Sequence, residues 1–174
     1  MSTVERINFE PVSDILATQR RDFPLADPEL SNPINAVALV DGEWMILDNS
    51  YKIVRATAIG AVGALATQTS YVLFAERGRY DVQAMAQRKM PLVWMGHYEA
   101  DTRIFNAAVA LGAGAAITFA GQPLKVATIT IGARNYSGVV GHGGVADSDP
   151  IVGRVTRLPA NNGGKLRYMR AATI

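Results

Sequence analysis

The chain has no cysteine, only two histidines, little charge and few aromatic residues. Without cysteine there is no disulfide and no thiolate metal site, and the compartment stays open on this ground. Its most apolar stretches, residues 58–66 and 107–121, are shorter than a membrane span and full of Gly, Ala and Thr. The opening MSTVERINFEP lacks the apolar core of a signal peptide, so the chain reads as soluble and not exported by a standard signal. Charged residues make up 18% and the net charge is +2, too little to imply nucleic-acid binding by itself. Aromatics, at 7%, are scattered and not enriched.

Catalytic signatures are missing as well. There is no GxxxxGK[ST] loop and no GxSxG elbow. Gly112-Ala113-Gly114 lacks the third glycine and the acidic partner of a dinucleotide fingerprint, and it reads as a tight loop. Ser137, in NYSGVVGHGG, reads as a turn residue, and GHGGV (141–145) as a loop tip. His97, Glu99 and Asp101 alternate in GHYEAD and share one face of a strand, with His142 a possible fourth member. That spacing matches no established ligand motif; surface pairing with Arg103 is the simpler reading. The expectation is a non-enzymatic protein with no cofactor and no metal.

What is present points to strands. Hydrophobic residues are 49% of 174, enough for one well-filled domain with length left over. Residues 1–33, interrupted by Pro11, Pro24, Pro28 and Pro33, read as an extended N-terminal arm with at most one helical turn over 12–22. Ile7, Phe9, Ile15, Leu16, Phe23 and Leu25 would let this arm pack on something, another subunit being one candidate. From residue 34 the period becomes two. Asp41-Gly42 between apolar runs predicts a hairpin. Further strands are expected at 51–57 and 70–76, within 91–106, at ITFAG and KVATITI on either side of a Gly-Gln-Pro turn, and at 151–158 and 165–170. Residues 58–70 read as a loop or irregular strand, and 79–89 as a strand with a helical alternative. No βαβ alternation is visible. The expected fold is all-β, a small β-barrel or β-sandwich (β-tulip or OB-like), over residues 34–174 behind the arm.

Charge is unevenly placed. Residues 1–30 carry six acids against three bases, whereas Arg154, Arg157, Lys165, Arg167 and Arg170 stand at the other end with no acid among them. Such ends can meet within a chain or between copies. In VTRLPANNGGKLRYM the alternation sets Val155 and Arg157 on one face and Thr156 and Leu158 on the other. On the return strand Lys165, Arg167 and Met169 alternate with Leu166, Tyr168 and Arg170. Leu158, Leu166 and Tyr168 are the expected buried members. The arginines are expected to form a one-sided solvent face.

Three segments, GHYEADTRIFN, LGAGAAITFAG and VGRVTRLPANNGGKLRYM, together resemble the virion structural proteins of tailed bacteriophages, of the small all-β kind that decorate or cement the capsid. The elements that carry the resemblance are Ala100 to Phe105, Gly112 to Thr118, Ile151 to Val155 and Leu166 to Met169; it covers residues 90–174 and, more loosely, 34–90. It implies a protein on the virion capsid surface, made in the host cytoplasm, that binds the major capsid protein. It further implies a homo-oligomer, with a trimer suspected, no membrane partner and no nucleic acid. Candidate subunit-contact residues are Ile7, Phe9, Phe23 and Leu25 of the arm, lapping onto neighbours, and Arg154, Arg157, Arg167 and Arg170, facing acids of an adjoining subunit. Three alternatives stand beside it. One is a tail-tube or head–tail joining protein. Another is a single-stranded nucleic-acid-binding OB-like domain using Trp44, Tyr51, Trp94, Tyr98, Tyr136 and Tyr168 as stacking platforms. The last is an unrecognised hydrolase or metal enzyme around His97, Glu99 and His142.

Overall fold

The computed structural model describes residues 9–13, 20–26, 42–47, 50, 52–55, 71–75, 89–93, 97–106, 117–131, 134–141, 151–160 and 164–170. The described part is all-β and contains no helix. The strands are β1 (Phe9–Pro11), β2 (Arg20–Pro24), β3 (Trp44–Leu47), β4 (Ile53–Arg55), β5 (Tyr71–Ala75) and β6 (Lys89–Val93). They continue with β7 (Glu99–Thr102), β8 (Phe105–Asn106), β9 (Pro123–Ile131), β10 (Arg134–Gly141), β11 (Gly153–Arg157) and β12 (Leu166–Arg170). One sheet has seven strands in the order β1-β7-β12-β11-β9-β10-β8, and the other five in the order β2-β6-β5-β3-β4. Every strand pairing is antiparallel except β10 with β8. A curled antiparallel sheet gives the half-barrel form. Expected strands at 34–40 and 79–88, the loop at 58–70 and residues 112–114 lie outside the described residues.

Alternation builds the main strands. In β12 Leu166, Tyr168 and Arg170 are buried while Met169 is exposed, as a two-residue period requires. Leu124, Val126 and Ile129 of β9 and Val139 and Val140 of β10 fill the same core with Ile104. The close approach here needs glycine: a Cβ on Gly138 would fall 2.5 Å from Ile104 Cγ2 and 2.7 Å from Ile104 O. Gly42 has φ of 96°, the left-handed conformation for which an Asp-Gly pair is suited. The strand that follows it, β3, is paired by β4 on one side and β5 on the other.

Two described pieces of residues 1–33 pair within the chain's own sheets. β1 pairs with β7, Phe9 opposite Thr102, and β2 pairs with β6 along its whole length. Both are edge strands of the chain's own sheets, and their prolines, Pro11 and Pro24, stand at strand ends where a missing N–H is tolerated. Phe23 and Leu25 are only 6% and 5% exposed, buried within their own chain. Leu25 also forms a parallel bridge with Ile53, and Ala26 N–H donates to Ile53 O at 3.1 Å. The continuation of β2 thus reaches β4, so the two edges of the smaller sheet meet. Ile7 lies outside the described residues.

Two further expectations fail locally. ITFAG is not a strand: Phe119–Gly121 is a turn, closed by Gln122, whose side-chain oxygen accepts from Thr118 N–H at 2.8 Å and Phe119 N–H at 3.4 Å. Ser137 is not in a turn but within β10, fully buried.

Candidate functional site

The His97-Glu99-Asp101 alternation does place the two carboxylates on one face of β7, but their partners come from β11 and β12 and not from Arg103. Asp101 stands opposite Arg167 in the β7–β12 register, and Arg167 stands opposite Arg157 in the β12–β11 register. Three neighbouring strands therefore line up one acid and two bases. Arg167 grips Asp101 with both arms of its fork, Nε to Oδ1 at 2.7 Å and Nη2 to Oδ2 at 3.0 Å. Arg157 reaches the same carboxylate with one nitrogen at 3.3 and 3.5 Å. The bidentate contact is the stronger of the two by geometry. Glu99 accepts from the Thr156 hydroxyl at 2.6 Å, and its backbone holds β1 through Val12 N–H, Ser13 N–H and the Ser13 hydroxyl. His97, exposed at the strand's start, has Nδ1 3.2 Å from Arg170 O. His142 lies outside the described residues, and among those described no three metal-ligating groups cluster.

A bulge decides which way Arg157 points. The β11–β12 register slips between Val155 and Arg157, leaving Thr156 as the extra residue. Simple alternation sets Arg157 with buried Val155; instead Arg154, Thr156 and Arg157 are all exposed. Leu158, expected to be buried, is exposed just past the end of β11.

The expectation of a one-sided arginine face is corrected at Arg170 and refined at the rest. Arg170 belongs to the buried phase of β12, 4% exposed, with its guanidinium 5.8 Å from the Trp44 ring centre and 5.9 Å from that of Tyr98. Cation–π contact makes an apolar interior tolerable for a guanidinium, whose charge is spread and weakly hydrated. Arg167 is half-buried against Asp101. Arg157 remains 56% exposed despite its contact. Arg154 donates to Gly121 O at 3.1 Å and has no carboxylate partner among the described residues.

Charge and burial shift three groups. Hydrogen bonds from Arg167 hold the Asp101 carboxyl below the ordinary carboxylate range; burial opposes this, and the charges of Arg167, Arg157 and Lys165 add to it. Burial pushes the Tyr98 and Tyr168 phenols well up, against the pull of the Arg170 charge on each. Because the folded Asp101 ionises more readily than the unfolded one, its stabilisation is complete above about pH 4 and is lost as pH falls through the lowered folded value. Asp101→Asn is expected to cost roughly 1–3 kcal/mol at neutral pH. Urea unfolding from pH 6 downward checks this: the gap between the two proteins narrows with acid, and a gap that stays constant argues against the ionised Asp101 as its source.

A second polar cluster, missed from sequence, lies where the sheets meet. Glu43, 1% exposed, pairs with Arg55 (Oε1 to Nε 3.1 Å, Oε2 to Nη2 3.2 Å) and accepts from Ser137 N–H at 3.3 Å. The Ser137 hydroxyl donates to Trp44 O at 2.6 Å. That proton is therefore committed to a main-chain carbonyl, and the hydroxyl acts as a tie between β10 and β3. The signal was a lone acid before an apolar run in DGEWMIL. The same structure buries Trp44, Tyr98 and Tyr168, removing three of the aromatic platforms a nucleic-acid reading requires; Tyr51 and Trp94 lie outside the described residues.

No protein-family model matches the chain, and neither a curated protein nor a solved structure matches it.

Proposed function

We propose that this is a non-enzymatic virion structural protein of the capsid-decorating kind, binding the major capsid protein lattice and stabilising the shell. One observation carries the reading. Segments on which the resemblance rests, Ala100 to Phe105, Ile151 to Val155 and Leu166 to Met169, contribute β7, β11 and β12, which are consecutive neighbours in one sheet. Three of the four elements thus stand side by side in one sheet; the fourth, Gly112 to Thr118, lies mostly outside the described residues. Polar chemistry on these three strands consists of ion pairs and side-chain to main-chain ties. Such a protein gains shell affinity by repetition, each copy adding modest contacts to a preformed lattice.

The gene's neighbourhood is the first test, followed by mixing the purified protein with expanded shells of the major capsid protein encoded there. Saturable co-sedimentation and a raised shell melting temperature are the expected results. Absence of binding overturns the reading. Rings in electron micrographs of the isolated protein replace it with a tail-tube or head–tail joining role.

A further inference from the structure

We infer that the outer face of the β11–β12 hairpin, around Arg154, Arg157 and Met169, docks an extended acidic polypeptide segment of a partner protein. The inference rests on the reading that this protein binds other proteins, and it assigns that binding a place and a chemistry.

The bulge at Thr156 is the first support. Arg154 and Arg157 are three positions apart and without it would point to opposite sides of the sheet. With it, both emerge on the solvent side, about 7 Å apart along the strand, since they stand opposite Met169 and Arg167, two positions of about 3.3 Å each. Bulges of this kind re-aim a side chain at a local cost in pairing. Internal packing does not require the re-aimed arginine, because Arg167 already satisfies both oxygens of Asp101. Arg157 adds only a longer, single-nitrogen contact and stays 56% exposed.

Charge complementarity is the second. Arg154 and Arg157 are both exposed on this face, and Arg154 has no carboxylate partner among the described residues, so guanidinium groups stand ready to meet acids from outside. Asp101 itself displays the chemistry the face accepts, a carboxylate held by guanidinium groups. Met169, opposite Arg154 in the register, is 44% exposed on that side and offers a flexible apolar contact beside the cations. An extended segment with glutamates two residues apart and an aliphatic residue two further on sets all three side chains on one face and meets both features. A nucleic-acid backbone meets only the charge, since Trp44, Tyr98 and Tyr168 are buried and cannot stack on bases.

The test uses the full chain with its methionine methyls isotopically labelled. One probe is a synthetic peptide with glutamates two residues apart and leucine two residues beyond; the other is an oligothymidylate of similar charge. The peptide is expected to shift the Met169 methyl resonance saturably, with affinity falling as salt rises. Arg154→Ala combined with Arg157→Ala is expected to weaken binding roughly tenfold, and Arg154→Lys to keep most of it. Unchanged shifts at the buried Met45 methyl show that the variants stay folded. A Met169 methyl unmoved by the peptide overturns the inference, as does tighter arginine-dependent binding of the oligothymidylate. Shell binding by the same double variant separates the two readings: if it binds shells like the parent, the decorating role stands and this face is not its docking site.

Discussion

Glu43→Ala is expected to lower the unfolding free energy by about 3 kcal/mol, toward the lower end of what breaking a buried ion pair costs because Arg55 keeps some exposure. For a domain of this size that is a melting shift of roughly 6–12 °C. The loss comes from what remains and not from the carboxylate itself. Arg55 is left partly buried without its bidentate acceptor, and Ser137 N–H is left without an oxygen inside β10. Because Glu43 precedes β3 in one sheet and Ser137 belongs to β10 of the other, the damage falls on the contact between sheets. Glu43→Gln retains one acceptor and is expected to cost less. Glu43→Leu combined with Arg55→Leu is expected to recover part of the loss, since removing both charges leaves no unpaired charge, with only Ser137 N–H still lacking its acceptor. Urea unfolding of these three variants, with Glu43→Leu and Arg55→Leu singly beside them, checks the order. A double variant as unstable as the sum of its parts refutes ion pairing as the source.

Fold class was legible because burial alternates where the strands are long. Leu166, Tyr168 and Arg170 point inward, as their spacing indicates, and Asp41-Gly42 marks a real left-handed turn at Gly42. Each misreading has a physical cause. Alternation predicts the side of a side chain only while the register is continuous, and the slip before Arg157 breaks it, exposing Arg157. Residue type suggested that Arg170 belonged in water, but its position in the inward phase outweighs that preference once Trp44 and Tyr98 receive the guanidinium. Ser137 among glycines looked like a turn residue; Gly138 is there instead because Ile104 and Ile129 leave no room for a Cβ. The Asp101–Arg167–Arg157 cluster joins residues far apart in the chain. All three were visible as charges, yet only the order β7-β12-β11 makes them neighbours.

Residues 1–33 were the hardest segment to read, because an extended, proline-interrupted stretch has the same appearance whether it pairs at home or abroad. The structure leads to a sharp contrast between two truncations. A chain beginning at residue 14 loses β1, a short edge strand tied to Glu99 by backbone and Ser13 hydrogen bonds, at an expected cost of roughly 1–3 kcal/mol. A chain beginning at residue 27 loses β2 as well, together with buried Phe23 and Leu25 and the Leu25–Ile53 bridge. Burial of the two side chains alone is worth about 3–6 kcal/mol. The unpaired edge of β6 adds to that, and the sum approaches the whole stability of an ordinary domain, about 5–15 kcal/mol. The shorter truncation is therefore expected to unfold cooperatively at a lower urea midpoint, and the longer one to lose its cooperative transition. If the longer truncation unfolds within about 1 kcal/mol of the parent, β2 is not integral to the smaller sheet. The contrast also governs any test of an arm that laps over neighbouring subunits. Weakened shell binding after removal of residues 1–33 would report an unfolded barrel, whereas removal of residues 1–13 alters the sheet edge at β7 and leaves the burial of Phe23 and Leu25 in place.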